Sequence, residues 1–296
     1  MLLEKPSTSN EAEAISLFRH GILKQPNAPI LLEAFHIRFH PAFSTFLPLL
    51  DPQNIESVKT IFVVPRGIIP NSDIRFIYDL AGGTLMDLGT YNVLCLRSIF
   101  GTEPEECIEA LPRLVPKGFD QRCDQAMKAS WRFPNGGVGS IEADLSASGV
   151  FGIPSLRFPR CEVTHKAKIV ADETLSTTEQ HVVQRKVVFW NMVAPQVWHR
   201  MDVIDEHSIR STADQKPVKS WTSKQYKKAY AWAEETRQPS EAAWTTYRHQ
   251  LEQFVNKIKG REGSGVWFGG EDSIKQMKMI DLAYQKAGLP LRPSSC

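Results

Sequence analysis

The sequence predicts an α+β protein in which a large, mostly antiparallel sheet flanked by helices is attached to a short piece of parallel α/β structure. Two observations lead to this class. Between residues 105 and 210, apolar and polar residues alternate in successive runs, and turn residues such as Pro134-Asn135-Gly136-Gly137 divide these runs. Residues 1–35 instead show an apolar strand end, a charged pair and a proline, followed at once by a helical pattern.

The first complete element predicted is a helix over about residues 10–24. Two residue pairs, Thr8 with Glu11 and Asn10 with Glu13, have the spacing of a capping box, so the helix begins at one of them. Apolar residues then recur at helical spacing and give this helix one buried face.

The next segment is typical of a strand with one polar face. In Phe35-His36-Ile37-Arg38-Phe39-His40 the apolar and polar residues alternate strictly, which places His36, Arg38 and His40 on the same side. We expect these side chains to line a substrate cleft. A metal site is disfavoured, because two histidines at this spacing on a strand do not easily share one ion and no third ligand follows.

A strand over residues 58–65 precedes a long helix that begins at Gly82-Gly83 and carries the candidate chemistry. Asp87 and Tyr91 are four residues apart, so they share a helix face at a separation of about 6 Å. Asp87 lies among apolar residues, where a charge is costly unless it is paired or faces a cleft. The glycines permit a close backbone approach, and free N–H groups at this helix start favour an anion or a carbonyl oxygen. A surface aspartate beside a packed tyrosine is the alternative.

Two helices, over residues 239–259 and 271–287, are predicted near the end of the chain. Before them, residues 216–230 interleave lysines with aromatic residues, a composition also found on nucleic-acid-binding surfaces. A solvated surface is favoured, because 35 basic residues against 33 acidic ones leave a net charge of only +2. We therefore expect no nucleic-acid partner.

The composition, with 42% hydrophobic and 23% charged residues among 296, indicates an ordinary soluble protein with a sizeable core. No apolar run approaches the roughly 20 residues of a membrane helix, and no secretory signal is expected.

The five cysteines are Cys95, Cys107, Cys123, Cys161 and Cys296. They form no C-x-x-C pair, so we expect reduced thiols and a cytoplasmic location. The motifs G-x-S-x-G and G-x-x-x-x-G-K-[ST] are absent.

Three segments together resemble the Gfo/Idh/MocA family of NAD(P)-dependent oxidoreductases, in the branch of dimeric dihydrodiol dehydrogenases and NADP-dependent D-xylose dehydrogenases. Glu4-Lys5-Pro6 resembles the E-K-P motif of that family. Glu33–Pro41 resembles its E-A-[FV]-x-x-R-[FYW]-x-P segment, and Gly82–Tyr91 resembles its G-G-x-x-x-D-x-G-x-[HY] helix. The three segments occur in the family's order, and the match covers nearly the whole chain.

This resemblance implies catalysis by Lys5, Asp87 and Tyr91 on a polyol, sugar or diol, with NADP or NAD bound at Glu4-Lys5-Pro6 and no metal. The substrate contacts it suggests are His36, Arg38, His40 and Asn92. Oxidation of an alcohol requires a proton acceptor, and we expect the Lys5 ammonium to lower the pKa of the Tyr91 phenol from about 10. The resemblance also implies a homodimer through the sheet.

For the domains, the resemblance implies that residues 1–35 are the C-terminal remnant of a Rossmann domain. Residues 36–296 are then the substrate and dimerisation domain, whose last helix packs back on the remnant. Family members have a G-x-G-x-x-G turn before E-K-P that holds the pyrophosphate, and none is present here, so we expect impaired cofactor binding.

Three functions therefore stay open at this point. The first is an NAD(P)-dependent sugar or trans-dihydrodiol dehydrogenase in truncated form, of the D-xylose 1-dehydrogenase type. The second is a cofactor-independent acid–base enzyme of a biosynthetic pathway, such as an isomerase, a dehydratase or a cyclase. The third is a non-catalytic partner protein that uses the broad face of the sheet as an interface.

Overall fold

The computed structural model describes residues 1–294, and it confirms the predicted α+β class. The strands are β1 (Leu2–Leu3), β2 (Leu32–Glu33), β3 (Ile55–Pro65), β4 (Glu106–Leu114), β5 (Asp124–Arg132), β6 (Val138–Ala147), β7 (Arg160–His165), β8 (Lys168–Val170), β9 (Glu179–Trp190), β10 (Arg200–Ser211) and β11 (Pro217–Lys227). The α-helices are α1 (Glu11–Phe18), α2 (Pro41–Phe46), α3 (Thr90–Phe100), α4 (Thr246–Ile258) and α5 (Gly270–Lys286).

Cys296 lies outside the described residues. Within residues 1–294, no helix combines the length and the apolar character needed to cross a membrane.

The large sheet has nine strands in the order β11-β10-β9-β7-β3-β6-β5-β4, and β8 pairs with β9 beside this path. Its neighbours run antiparallel except for β3 and β6, which are parallel. The short strands β1 and β2 form a separate parallel pair. The mostly antiparallel sheet and the attached parallel piece are therefore both present, as predicted.

One face of the large sheet packs against helix α3 and forms the core. Along β3, Val58 and Thr60 are buried on this face, and the alternate residue Lys59 points to the opposite one. There it pairs with Glu142 of β6, which also accepts a hydrogen bond from Arg157. The open face is thus lined by paired charges around Lys59 and, further along β3, by the buried apolar residues Ile61 and Val63, and no α-helix of residues 1–294 packs on it.

Helix α1 is shorter than predicted, and it packs against α5. Of the two candidate capping pairs, Asn10 is the N-cap and its side chain accepts a hydrogen bond from the Glu13 amide at 2.9 Å. The carboxylate of Asp281 on α5 accepts from the Glu11 amide at 2.8 Å. The last helix therefore lies directly on the first one. Residues 21–24 form a separate 3₁₀ turn, so the helical pattern there is interrupted.

The strand predicted at residues 35–40 is wrong. His36–Phe39 form a 3₁₀ helix, and α2 then begins with Pro41 in its first turn and His40 as its N-cap. The alternating pattern misled because both kinds of residue are buried: Phe35 and His40 are each 0% exposed. The predicted helix at residues 239–259 likewise begins later, because Thr245 caps α4. Strand β11 is exposed along its whole length, as the solvated-surface interpretation predicted.

A buried ion pair holds the helix that carries Asp87 and Tyr91 against the end of the chain. Arg292 Nη2 lies 2.7 Å from Asp124 Oδ1, and both side chains are 0% exposed. The same oxygen accepts from the Tyr284 hydroxyl at 3.0 Å, and Asp124 Oδ2 accepts from the Leu85 amide at 2.7 Å. Asp124 is therefore the anion at this helix start.

Position 83 at this helix start requires glycine for two reasons. The surrounding atoms leave no space for a Cβ, and the backbone has a positive φ. Its φ is +142°, and a Cβ there would overlap the Arg292 guanidinium and the Asp124 carboxylate. The close approach predicted for the paired glycines is thus made to the protein's own ion pair.

Substitution Arg292→Ala should strongly destabilise the fold, because it leaves the Asp124 carboxylate buried without its cation. We expect the free energy of unfolding to fall by about 3–5 kcal/mol, measured by urea denaturation followed by circular dichroism. Arg19→Ala is the matched control, since it breaks an exposed arginine–carboxylate pair with Glu271 and should leave the midpoint nearly unchanged. Equal losses in both variants would contradict a special role for the buried pair.

Candidate active site

Lys5 and Asp87, which are distant in the sequence, form an ion pair in the structure. Lys5 Nζ donates at 2.8 Å to Asp87 Oδ1 and at 2.8 Å to the main-chain oxygen of the same residue. Asp87 lies in a π-helical turn, Leu85–Gly89, which leads into α3. Such turns occur frequently at functional sites. The Asp87 side chain is 25% exposed. Its carboxylate is therefore both paired with a cation and partly open to solvent, and both reduce the cost of placing a charge among apolar residues.

Arg75 is a second cation on the same carboxylate, and sequence reasoning missed it. Its Nε lies 3.0 Å from Asp87 Oδ2, and its Nη1 lies 2.8 Å from Asp73 Oδ1. No motif or periodicity marks this arginine, because it lies in a 3₁₀ helix of only three residues, Ile74–Phe76. Both oxygens of Asp87 are therefore engaged by cations, and the carboxylate orients Lys5 instead of standing free as a base.

Tyr91 lies one helical turn after Asp87 and contacts both Lys5 and His36. The Lys5 ammonium is 4.7 Å from the centroid of the phenol ring, and His36 Nε2 is 2.8 Å from the Tyr91 hydroxyl oxygen. The rings of Phe35 and Phe62 pack around it at 6.3 and 5.9 Å between centroids. The structure thus brings the three catalytic candidates together, with Tyr91 only 6% exposed.

The expected lowering of the Tyr91 pKa is wrong in direction. Burial raises this pKa well above its ordinary value, and the neighbouring Tyr247, Asp87 and Glu4 raise it further. The ammonium of Lys5 lies over the ring and is already paired with Asp87, so it does not offset the burial. At neutral pH Tyr91 is consequently a protonated phenol, able to donate a proton and not to accept one.

His36 is held in a chain of hydrogen bonds behind Tyr91. Its Nδ1 lies 2.7 Å from the Thr246 hydroxyl, its Nε2 bonds to Tyr91, and its ring stacks on Tyr247 at 4.0 Å. Burial, with a smaller contribution from Lys5, lowers the pKa of His36 to about 4. His36 is therefore a neutral partner of Tyr91, and Thr246 and Tyr247 are two further residues of the site that sequence reasoning missed.

Arg38 and His40 make their contacts elsewhere, so the structure does not bring them to the Lys5–Asp87 pair. His40 is fully buried and accepts a hydrogen bond from the Ala42 amide at 3.1 Å. Arg38 lies over the ring of Phe43 at 5.4 Å. Both placements follow from the 3₁₀ helix that replaces the predicted strand, since its side chains do not share one face.

Asn92 is a packing residue that connects α3 to the sheet. Its side-chain amide donates at 3.0 Å to the carbonyl of Thr60 and at 3.3 Å to that of Glu142. It is 0% exposed, although it follows Tyr91 directly in the sequence. Successive residues of a helix point in different directions, so Asn92 faces the sheet and not the cleft.

A cleft of about 660 Å³ opens beside Asp87, between α1 and the segment before the glycines. Its lining includes Pro6 and Ser7 of the E-K-P loop, Ser16 and Leu17 of α1, and the Arg75 side chain. This volume and this mixture of apolar and polar groups are typical of small-molecule sites. Asp87 lines this cleft, and its ion-pair partner Lys5 lies beside it.

The start of α1 does not offer a place for a pyrophosphate. Asn10 and Asp281 already accept from its Glu13 and Glu11 amides, which are the groups that a phosphate would use. The turn before this helix also lacks a glycine, since residues 4–20 contain none. Within the described residues, the start of helix α1 therefore supplies no pyrophosphate contacts.

Comparison with known proteins confirms the resemblance inferred from the sequence. Residues 54–166, which include β3 to β6 and the helix with Asp87 and Tyr91, match the GFO/IDH/MocA C-terminal domain family. The chain is 29% identical over 168 residues to D-xylose 1-dehydrogenase (NADP(+)) 2 of Haloferax volcanii, covering 55% of this chain and 46% of that protein.

A second relative has the other activity named in the predicted branch. The chain is 28% identical over 189 residues to trans-1,2-dihydrobenzene-1,2-diol dehydrogenase of Xenopus laevis, covering 60% of this chain and 56% of that protein. The chain thus spans about half the length of the curated relatives it matches.

Solved structures show the same fold. The aldose-aldose oxidoreductase from Caulobacter crescentus, complexed with glycerol, aligns with a TM-score of 0.62 at 17% identity, over 97% of this chain and 69% of that one. A levoglucosan dehydrogenase in complex with NADH and levoglucosan aligns with a TM-score of 0.61 at 18% identity, over 97% and 71%.

The neutral, buried His36 should make stability depend on pH. Its pKa is about 4 in the folded protein and about 6.5 when unfolded, so its contribution is complete above pH 6.5 and is lost as the pH falls toward 4. Between pH 7 and 5 we expect the wild type to lose about 2 kcal/mol more than His36→Gln, measured by urea denaturation. The exposed His20, changed to Gln, is the control. An equal pH dependence in wild type and His36→Gln would contradict this assignment.

Proposed function

We propose that the chain is an NAD(P)-dependent oxidoreductase acting on CH–OH groups of sugars or dihydrodiols, and that Tyr91 is the proton donor when the reaction runs in the reducing direction. The observation that carries this proposal is the Lys5–Asp87 ion pair beside the cleft, with the protonated phenol of Tyr91 against it. Reduction of a carbonyl requires a proton donor at the oxygen, and the phenol of Tyr91 carries its proton at neutral pH.

Each residue of the cluster has a separate task in this reaction. A bound nicotinamide supplies the hydride. The Lys5 ammonium, oriented by Asp87, donates a hydrogen bond to the substrate oxygen and stabilises the negative charge that develops there. Tyr91 transfers its hydroxyl proton to that oxygen, and its phenolate is stabilised by the hydrogen bond with His36. Arg75 balances the charge of Asp87, which keeps the carboxylate from competing for the proton.

The curated relatives support the substrate class. The Haloferax volcanii protein is a D-xylose dehydrogenase that uses NADP(+), and the Xenopus laevis protein is a dihydrodiol dehydrogenase. Both names describe dehydrogenation of a CH–OH group, a reaction that runs in either direction on one site. The proposed substrate is therefore a polyol, a sugar or a diol, or the corresponding ketone or lactone.

We further propose that residues 1–35 form the end of a Rossmann domain and residues 36–296 the substrate domain. The parallel pairing of β1 with β2 and the docking of α1 on α5 support this division. The nicotinamide end would then meet Pro6, Ser7 and Asp87 at the boundary between the two parts.

A cofactor-independent acid–base enzyme is the second candidate. It is favoured by the chain of hydrogen bonds that connects Thr246, His36 and Tyr91. In such an enzyme Tyr91 would donate a proton in an isomerisation or a dehydration. Cofactor binding separates the two candidates.

We also propose that a second copy of the chain covers the open face of the sheet. The apolar arm, residues 149–158, extends beside this face, with Phe151 97% and Leu156 87% exposed. A large exposed apolar segment next to paired charges is typical of an interaction surface.

A cytoplasmic location stays part of the proposal. The cysteines of the described residues are free and buried, and they are Cys95, Cys107, Cys123 and Cys161. Free thiols are usual in reducing compartments.

The proposed activity predicts that NADPH or NADH, at millimolar concentration, raises the melting temperature of the purified chain. Tyr91→Phe should retain this shift and lower kcat for carbonyl reduction by about 10²–10⁴-fold, because only the proton donor is lost. The measurement is the decrease in reduced-nicotinamide absorbance with sugars, ketones and lactones as substrates. No thermal shift with either cofactor would rule out the redox role, and a cofactor-free reaction abolished by Tyr91→Phe would support the second candidate.

The proposed dimer predicts that the double variant Phe151→Asp, Leu156→Asp sediments as a monomer at concentrations where the wild type is dimeric. The charges would have to be buried without partners in the interface, which is strongly unfavourable. Ile22→Asp, on an exposed apolar residue remote from the arm, is the control and should stay dimeric. A monomeric wild type, or a dimeric double variant, would contradict the proposed interface.

A further inference from the structure

Glu33 is a buried carboxyl group to which the proposed reaction assigns no task. It ends the short strand β2 and is 1% exposed, and among residues 1–294 no lysine, arginine or histidine forms an ion pair with it. Burial raises the pKa of Glu33, since water does not solvate its charge. A leucine at this position would be buried at no such cost. The contacts of the carboxyl group are therefore what distinguishes Glu33 from a packing residue.

The carboxyl group of Glu33 connects β2 to the loop between β1 and α1. Its Oε1 accepts a hydrogen bond from the Ser7 amide at 2.7 Å. The strands β1 and β2 run parallel, with Leu3 opposite Glu33, so the chain passes Glu33 as it leaves β1 and contacts it again at Ser7. This bond thus closes the turn that contains Glu4-Lys5-Pro6.

Two further contacts hold the same loop on either side of Ser7. Lys5 Nζ pairs with Asp87 Oδ1 at 2.8 Å, and the Ser9 amide donates to Glu13 Oε2 at 2.7 Å. These contacts fix the loop at its lysine and at the start of α1. The middle of the loop depends on the bond between the Ser7 amide and the carboxyl group from β2.

The middle of the loop forms one wall of the cleft beside Asp87. Pro6 and Ser7 line this cleft, whereas Glu33 does not, and the proposed function places the nicotinamide end of the cofactor there. A wall that is already fixed binds more tightly than one that must be ordered, because ordering a loop on binding costs affinity. The bond from Glu33 supplies this order without contact between Glu33 and the bound molecule.

We propose that Glu33 is a positioning residue, which fixes the wall formed by Pro6 and Ser7 by accepting the hydrogen bond of the Ser7 amide. The inference rests on the proposed function, because it assigns the fixed wall to cofactor binding. Glu33→Gln and Glu33→Met test it as a matched pair. Glutamine keeps an oxygen that accepts from the amide, whereas methionine has a similar volume and no oxygen. Ser7 is partly exposed, so water can replace the lost acceptor and the methionine variant should fold.

The first measurement is hydrogen exchange of the loop amides, followed by NMR, and it requires no activity. After correction for intrinsic rates, the wild-type Ser7 amide should exchange at least about tenfold more slowly than the Thr8 amide, which has no acceptor among residues 1–294. Glu33→Gln should keep this protection, and Glu33→Met should abolish it. Equal exchange of the two amides in the wild type, or a protected Ser7 amide in Glu33→Met, would overturn the proposal. The wild-type comparison decides the question even where Glu33→Met does not fold.

The second measurement is steady-state kinetics with NADPH and NADH. Glu33→Met should raise the KM for the cofactor about 3–10-fold, the effect of one hydrogen bond. Its kcat should stay within about twofold, because the Lys5–Asp87 pair remains in place. Glu33→Gln should keep the wild-type KM. Glu106→Met, on an exposed glutamate of β4, is the control for the substitution and should change neither constant.

The kinetic outcomes separate positioning from packing. An unchanged cofactor KM in Glu33→Met, an equal rise in both Glu33 variants, or a loss in kcat alone would show that Glu33 only supports packing and would overturn the proposal. A wild type that binds neither cofactor contradicts the proposed function, and the exchange measurement then decides by itself whether Glu33 fixes the loop.

Discussion

The ion pair between Asp124 and Arg292 is the constraint on which the geometry of this protein depends. Removing two charges completely from water costs several kcal/mol per ion, and the pair is tolerable only when every charged atom has partners. Asp124 meets this condition through Arg292, Tyr284 and the Leu85 amide. These bonds connect a strand of the sheet, the last helix, the residues after it and the start of the helix that carries the candidate chemistry. The position of Asp87 is consequently set from the far end of the chain.

The electrostatic character of the site follows from this placement. Asp87 lies between two cations, Lys5 and Arg75, and its negative charge is balanced before any ligand binds. Tyr91 is buried one turn further along the helix, and this burial raises its pKa and keeps the phenol protonated. The cluster is therefore arranged to donate a proton and to stabilise a developing oxyanion, which are the two needs of carbonyl reduction.

The motifs Glu4-Lys5-Pro6 and Gly82–Tyr91 predicted residues that the structure brings together, because spacing along one helix fixes which residues share a face. Sequence reasoning failed at residues 35–40, where alternation indicated a strand although both sides of the segment are buried. It also missed Arg75 and Tyr247. Arg75 lies in a 3₁₀ helix of three residues and Tyr247 in a helix far along the chain, so neither carries a periodic or motif signal. Only the folded chain brings them within reach of Asp87 and Tyr91.

The sequence by itself determined the α+β class, the mostly antiparallel sheet and the meeting of Lys5, Asp87 and Tyr91 implied by the family resemblance. Local patterning and motif order suffice for these features. They depend either on residues close together in the chain or on motifs that resemble those of a known family. The tertiary structure decided the direction of the pKa shift of Tyr91, the partners of His36 and which side chains accept from the amides at the start of α1. Each of these depends on which groups exclude water from a given atom, and burial is a property of the whole packed chain.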